Sequence, residues 1–212
     1  MDKNTNRFVI SDTHFGHTKC WESFKNADGT PLRPFSSTEE MDEAMVENWN
    51  AKVKPEDTVY HLGDVVIARR NLETVKRLNG RKILIRGNHD LFSDKDFLEA
   101  GFVSLRGCMV FSGKWIMTHI PIHPDSIARF RVNVHGHLHG NRVRKPYGVD
   151  ARTGEVKYTD KIDPRYVSVC VEQIGYTPVH FDELEEMVQS QFNEHNYSPD
   201  KGAAFGNGSG PG

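Results

Sequence analysis

The sequence has few cysteines and no long apolar run, and each absence excludes a class of protein. Its 212 residues include three widely separated cysteines and no CxxC pair, so neither a disulfide framework nor a thiolate metal site is expected. Apolar runs such as residues 65–68 are far shorter than the ~20 residues that a membrane-spanning helix needs. The polar first residues also lack the apolar stretch of a secretory signal. We therefore expect a protein of the reducing cytoplasm.

Net charge and composition exclude further classes of protein. Lys and Arg number 27 against 29 Asp and Glu, a formal net charge of −2, which excludes binding to nucleic acid through bulk positive charge. The 12 Phe, 3 Trp and 6 Tyr are enough to form a core. The length favours one domain, which we place at residues 1–193. Residues 194–212 are predicted to be a glycine-rich tail, either disordered or a linker remnant.

The hydrophobic pattern predicts strands that alternate with helices early and follow one another closely later. Helices are predicted after a capping box at Ser37, at residues 71–78, after Ser93 or Asp94, and after a cap at Asp182. This order favours an α/β sandwich of sheets flanked by helices, with parallel pairing early and antiparallel pairing late. Strands are predicted at residues 7–11, 58–62, 82–86, 102–105, 109–111, 115–118, 131–134 and 166–171.

Five short polar motifs each follow a predicted strand directly. In α/β proteins ligands bind at the carboxyl ends of the strands, so we expect these motifs to meet in space. The motifs are Asp12-Thr13-His14, Gly63-Asp64, Gly87-Asn88-His89-Asp90, His119, and Gly136-His137-Leu138-His139. The expected convergent set is Asp12, His14, Asp64, Asn88, His89, His119, His137 and His139.

Carboxylate, carboxamide and imidazole donors without a thiolate suit Mn²⁺, Fe or Zn²⁺. The set is too large for one ion and fits two ions that share a bridging carboxylate. Such a pair, ~3.5–4 Å apart, acidifies a bridging water and holds the attacking and leaving oxygens of a phosphoryl displacement. Gly63, Gly87 and Gly136 precede predicted ligands, where the chain must turn tightly or approach an ion closely.

The five motifs, in this order, resemble the signature of the calcineurin-like metallophosphoesterase superfamily. The resemblance covers about residues 8–140, and residues 166–192 are similar to the closing strands and helix of its small, uncapped bacterial and phage members. It implies a four-layer αββα sandwich of two mixed β-sheets flanked by helices, the metallo-dependent phosphatase fold.

The resemblance also implies a role for each motif residue. Asp12, His14 and His139 would bind a first metal, and Asn88, His119 and His137 a second. Asp64 would bridge the two, while His89 would face the phosphate and protonate the leaving oxygen. The expected metal is Mn²⁺, with Fe, Ni or Zn as alternatives. His123 is a rival to His119 as ligand, and His119 is preferred because it directly follows the predicted strand.

The implied activity is hydrolysis of a phosphoester, in which a metal-bridging hydroxide attacks phosphorus in line. We favour a small, nucleotide-type phosphodiester as substrate. The alternatives are a phosphomonoesterase, a DNA or RNA nuclease and, last, a non-catalytic scaffold. Ile67 stands where protein phosphatases of this superfamily have a second Asp, and Val66 and Ile67 stand where its purple acid phosphatases have a Tyr. Neither a protein phosphatase nor a purple Fe(III) chromophore is therefore expected.

Substrate contacts outside the motifs are predicted less directly. Arg33 and Arg86 are candidates to hold phosphate through the guanidinium fork, the alternative for each being a surface cation. His17 either lines the pocket or lies on the surface. Trp21 and Phe24 either stack on a nucleobase or cover the core.

Overall fold

The computed structural model describes residues 5–197, so most of the predicted tail lies outside the described residues. Eleven strands run in chain order. They are β1 (Arg7–Ile10), β2 (Thr58–His61), β3 (Arg81–Ile85), β4 (Phe102–Arg106), β5 (Met109–Phe111), β6 (Trp115–Thr118), β7 (Val132–His135), β8 (Arg144–Val149), β9 (Val156–Ile162), β10 (Tyr166–Ser168) and β11 (Val179–His180). The helices are α1 (Lys19–Glu22), α2 (Thr38–Lys52), α3 (Leu72–Lys76), α4 (Asp94–Glu99) and α5 (Phe181–Glu194).

The strands form two mixed sheets and a separate hairpin. The five-stranded sheet has the order β11-β1-β2-β3-β4 and the four-stranded sheet the order β10-β7-β6-β5, while β8 pairs only with β9. Strands β1 to β4 are parallel, and β11 is antiparallel to β1. In the second sheet β5 and β6 are antiparallel, whereas β6, β7 and β10 are parallel. The prediction of antiparallel pairing late in the chain is therefore wrong for β7 and β10, because long connections return the chain to the same end of the sheet.

Alternating side chains of the first sheet supply two apolar cores, as the period of a strand requires. Phe8 and Ile10 belong to a core shared with helices α2, α3 and α4. Val9 belongs to a second core, between the two sheets, which α5 completes with Leu184 and Val188. Helices therefore flank the pair of sheets, and the predicted sandwich is confirmed. Met41, Met45 and Trp49 of α2 are buried as their helical spacing predicted.

Two of the predicted helix starts are confirmed and one is wrong. Ser37 caps α2 by accepting the backbone N–H of Glu40 at 3.0 Å, and Ser93 caps α4 within a capping box. For α5 the cap is His180, not Asp182: the Nδ1 atom of His180 accepts the N–H of Asp182 at 3.2 Å. A neutral imidazole nitrogen thus replaces the usual side-chain oxygen, and Asp182 lies in the first turn instead.

The carboxyl-terminal part of the described chain continues past the predicted domain boundary at residue 193. Helix α5 ends at Glu194, and the ring of Tyr197 packs 5.0 Å from that of Phe192. Residues 198–212 of the predicted tail lie outside the described residues. Among residues 5–197 we find no helix with the length and apolar character needed to cross a bilayer.

Candidate metal centre

The five polar motifs converge where strands β1, β2, β3, β6 and β7 end. Two groups of three side chains have ligand atoms that all lie within 4.8 Å of one another. We name them the first cluster (Asp12, His14 and His139) and the second cluster (Asp64, His119 and His137). The sequence predicted that these side chains would meet, although they are up to 127 positions apart along the chain (Asp12 to His139).

The backbone at these motifs adopts a conformation that L-residues rarely take. A positive φ is uncommon outside glycine and costs ~1–3 kcal/mol, so it persists only where the surrounding structure enforces it. Five of the six cluster residues have it: Asp12 (60°), His14 (47°), Asp64 (57°), His137 (70°) and His139 (50°). The fold thus holds the donors in place at a conformational cost, as functional sites do.

Asp64, a member of the second cluster, also lies close to the first. Its Oδ2 atom is 3.5 Å from Nε2 of His14 and 3.4 Å from Nε2 of His119, while its Oδ1 atom accepts the backbone N–H of His89 at 2.8 Å. Burial pushes the pKa of this carboxyl upward, but the hydrogen bond and charge of His119 outweigh it and lower the pKa to about 2. An ionised carboxylate in this position has the geometry of a bridging ligand.

The first cluster contains buried polar atoms that lack a protein partner. Within residues 5–197, neither ring nitrogen of His14 has a hydrogen bond, nor does Oδ1 of Asp12. Burial raises the pKa of Asp12 and lowers that of His14 well below its usual value, because both charged forms lose their hydration. Unpaired buried polar atoms are rare and costly, and a cation at this point would satisfy them. The residues present therefore fit a metal ion.

Donor atoms also face one another in the second cluster. Nε2 of His119 is 2.8 Å from Oδ1 of Asn88 and 3.3 Å from Nδ1 of His137. Its Nδ1 atom lies 2.8 Å from the carbonyl oxygen of Leu62. Since a carbonyl oxygen can only accept, Nδ1 is the donor of this hydrogen bond. The Nε2 atom faces Asn88 and His137, and its lone pair would be available to a bound cation, the usual arrangement of a metal-binding histidine. This donor set also fits a cation.

Asp90 stabilises the loops that carry these ligands. Its buried carboxylate accepts three backbone N–H groups, from Asp64 at 2.9 Å, Val65 at 3.0 Å and Gly87 at 2.8 Å. It thereby ties the loop after β2 to the loop after β3. The fourth residue of the third motif is therefore a structural group here and not a ligand.

Gly136 and Gly87 lie in close contact with side chains of the motifs, while the approach of an ion to them stays a prediction. A Cβ atom at Gly136 would lie 2.1 Å from Oγ of Ser11 and 2.4 Å from Oδ2 of Asp12. One at Gly87 would lie 2.2 Å from Oδ1 of Asp64. Gly63 has a φ of +97° in addition. Only glycine leaves room for the carboxylates at these positions.

Arg33 does not lie where the sequence predicted. Its guanidinium is fully buried and donates to the carbonyls of Thr13 at 2.8 Å and Asp12 at 2.6 Å. Its Nε atom donates to Oε1 of Glu172 at 2.8 Å. A side chain without exposed surface cannot clamp a phosphate, so this prediction is corrected: Arg33 supports the backbone of the first cluster from beneath.

Glu172 is a site residue that the sequence analysis missed. Its Oε1 atom also accepts Nδ1 of His139 at 3.0 Å, which leaves Nε2 of that ring for a metal. A signal was available, because Glu172 directly follows the predicted strand at residues 166–171. That is the position which identified the other motifs.

Arg86 lies at the edge of the site and is held by its own loop. Its guanidinium donates to the carbonyls of Asp90 at 2.9 Å and Phe92 at 3.0 Å and pairs with Asp94. It also lies over the ring of Phe97, 5.3 Å from the ring centroid. Contact between Arg86 and phosphate stays a prediction.

Three further histidines are placed by the fold. His89 is exposed, with its ring 5.4 Å from that of His14. His17 is half-buried and lies on the same cluster, 5.5 Å from His14. His123 is exposed and belongs to neither cluster, which favours His119 as the ligand. Access of His89 and His17 to substrate stays a prediction.

The two aromatic residues of the early loop differ in environment. Trp21 packs against the core and donates from Nε1 to Oγ1 of Thr38 at 3.0 Å. Phe24 is 41% exposed, with its ring 5.5 Å from that of His17. Of the two, only Phe24 has a substantial surface available to a ligand.

The chain is similar to several known proteins. An uncharacterised protein of Methanocaldococcus jannaschii is 30% identical over 189 residues, which are 86% of this chain and 90% of that protein. The gene 66 protein of Mycobacterium phage L5 is 33% identical over 91 residues, 41% of this chain and 40% of that protein. The solved structure of a protein of unknown function from Aquifex aeolicus has a TM-score of 0.56 at 25% identity, covering 87% of this chain and 100% of that one.

A family model extends over the whole candidate centre. The model of the calcineurin-like phosphoesterases matches residues 7–151, a range that contains all five motifs from Asp12 to His139. It covers more than half of the chain, and it includes both clusters. This protein belongs to the calcineurin-like phosphoesterase family.

Proposed function

We propose that this protein hydrolyses a small, nucleotide-type phosphodiester at a centre of two divalent cations. The observation that carries the proposal is the position of Asp64, whose Oδ2 atom lies 3.5 Å from His14 and 3.4 Å from His119. One carboxylate oxygen is thus shared by the two clusters. A single-ion site would not need a shared oxygen, and a structural site would not need donors at such conformational cost.

The first ion would be held by Asp12, His14 and His139, the second by Asn88, His119 and His137, and both by Asp64. When bound, a pair of divalent cations supplies Lewis acidity that lowers the pKa of water and offsets the charge of the phosphoryl group. Oxygen and nitrogen donors without a thiolate favour Mn²⁺, with Fe, Ni and Zn as alternatives.

His89 is the residue that we assign to proton transfer. It is exposed beside the first cluster, and its backbone N–H is fixed on Oδ1 of Asp64 at 2.8 Å. This bond fixes the backbone of His89 next to the carboxylate of Asp64. The imidazole would donate a proton to the oxygen that leaves phosphorus, a contribution of general-acid catalysis.

A small substrate is favoured over a nucleic acid by the charge of the chain. The formal net charge is −2, whereas affinity for polyanionic nucleic acid rests on many Lys and Arg contacts to phosphates. The cysteines of the described chain are free thiols, which supports a cytoplasmic location. Hydrolysis of a phosphomonoester is the second hypothesis, and an activity assay distinguishes it from hydrolysis of a phosphodiester.

The test is an activity panel on metal-stripped protein reloaded with Mn²⁺, Fe²⁺, Ni²⁺ or Zn²⁺. Monoester, diester, cyclic-nucleotide and oligonucleotide substrates are compared. We expect the diesters to be hydrolysed fastest, with Mn²⁺ restoring the activity that chelation removes. Full activity in the chelated sample would contradict the proposal, and a preference for oligonucleotides that falls steeply with salt would favour the nuclease.

A further inference from the structure

A groove of about 550 Å³ adjoins the second cluster. It is lined by His137, by the loop that follows β6 and by the β8–β9 hairpin. A volume of this size is typical of pockets that hold small organic ligands. Because His137 belongs to both the cluster and the groove, a substituent on a phosphate held at the cluster would extend into the groove.

The walls of the groove are apolar and aromatic, and they face solvent. Tyr158 of β9 is 57% exposed and Ile120 is 51% exposed, and both line the groove that His137 also lines. Leu138, between the two histidines of the last motif, contributes to the same lining. An exposed aromatic side chain at the rim of a phosphoester site offers a face on which a base can stack.

The charge of the groove matches an anionic ligand. Its lining, within the described residues, contains Arg142 and Arg144 and no carboxylate. Both arginines are exposed, and Nε of Arg142 is 3.3 Å from Oε1 of Gln173. Two guanidinium groups beside an apolar wall attract a substrate that combines negative charge with an aromatic ring.

We propose that this groove is the subsite for the nucleoside of a nucleotide phosphodiester, with the base stacked on Tyr158. Arg142 and Arg144 draw the anionic substrate toward the clusters. This assignment rests on the proposed function, which it deepens by naming the residues that select the substrate. It also gives a role in recognition to the β8–β9 hairpin, which pairs with no other strand among residues 5–197.

The test compares two diesters that release the same p-nitrophenolate: the p-nitrophenyl ester of thymidine 5′-monophosphate and methyl p-nitrophenyl phosphate. We expect the protein loaded with Mn²⁺ to favour the thymidine ester by about tenfold in kcat/KM, the scale of one stacked base. Tyr158→Ala should abolish that preference without changing the rate on the methyl ester, and Tyr158→Phe should retain it. Val149→Ala, at an exposed position of the same hairpin, is the matched control and should retain it too.

Calorimetry supplies a readout independent of turnover. Thymidine 5′-monophosphate should bind the metal-loaded protein more tightly than inorganic phosphate does, and Tyr158→Ala should weaken only the nucleotide. Equal rates on the two esters, or equal losses in Tyr158→Ala and Val149→Ala, would overturn the subsite while leaving the proposed hydrolysis intact. Nucleotide binding that depends on Tyr158, without hydrolysis of either ester, would instead support the subsite and contradict the proposed function.

Discussion

His139 donates a hydrogen bond from Nδ1 to Oε1 of Glu172 at 3.0 Å. The same oxygen accepts Nε of Arg33 at 2.8 Å, and Arg33 in turn holds the carbonyls of Asp12 and Thr13. Burial raises the pKa of Glu172, but Arg33 and His139 outweigh it and keep the pKa below its usual value. One buried ion pair therefore positions both the backbone and the imidazole of the first cluster.

Replacing Glu172 should weaken the first metal site. We expect Glu172→Gln to lower the affinity for one of the two ions by about 10- to 100-fold, the usual effect of removing a partner of a metal-binding histidine. It should also lower thermal stability, because the charge of Arg33 is left buried without its counter-ion. Metal titration by calorimetry and a melting curve measure the two effects. Glu186→Gln, exposed on α5, is the control, and equal affinities in the two variants would contradict this role.

Replacing Asp64 should disturb both ions at once. In Asp64→Asn the shared oxygen loses its charge, so we expect the bound metal to fall below one ion per chain and activity to disappear. Elemental analysis after gel filtration gives the stoichiometry. Asp182→Asn, in the exposed first turn of α5, should bind two. Retention of two ions by Asp64→Asn would remove the argument for a bridge.

His119 and His123 provide a direct comparison of two nearby histidines. His119→Ala should lose the second ion, because its Nε2 atom lies among the donors of that cluster. His123→Ala should retain both ions, since its side chain is exposed. Metal content of the two variants, measured side by side, decides the point. The reverse result would show that the loop after β6 is arranged differently.

A single methyl group at Gly136 should disrupt the first cluster. Its Cβ atom would meet Oδ2 of Asp12 at 2.4 Å, so Gly136→Ala must displace the carboxylate or the chain. We expect a loss of ~1–3 kcal/mol in stability, the range for overpacking, and weaker metal binding. Gly107→Ala is the control, because a Cβ there meets nothing within 4 Å. Denaturant unfolding of both variants measures the difference, and equal stabilities would contradict the steric argument.

His89 should affect turnover and not metal content. If its imidazole protonates the leaving oxygen, His89→Ala should lower kcat by about 10²- to 10⁴-fold while both ions stay bound. The loss should be smaller for a substrate whose leaving group is a weak base, because such a group needs less protonation. His195→Ala, at the end of α5, serves as the control. Loss of metal from His89→Ala would make His89 a ligand instead.

Much of the site could be predicted because its donors lie in short motifs directly after strands. The order of the motifs and the convergence of strand ends are enough to predict that six donors meet: Asp12, His14, Asp64, His119, His137 and His139. The core face of α2 followed from its 3.6-residue period in the same way. Such features depend on a few neighbouring residues, so they can be predicted from short segments of the sequence.

Features formed by distant, isolated residues were not recovered. Arg33 and Glu172 are 139 positions apart and belong to no motif. The sequence therefore gives no sign of their ion pair and makes Arg33 a candidate for binding phosphate. The β8–β9 hairpin was missed because its side chains are largely exposed, which removes the hydrophobic alternation that reveals a strand. The two-residue strand β11 is too short to form any pattern.

The family, the donor residues and the sandwich of sheets follow from local patterns that recur in a fixed order along the chain. The closeness of Asp64 to both His14 and His119, the burial of Arg33 and the groove beside His137 are visible only in the folded molecule. These depend on distances between segments that the chain brings together, and packing, not local propensity, sets those distances.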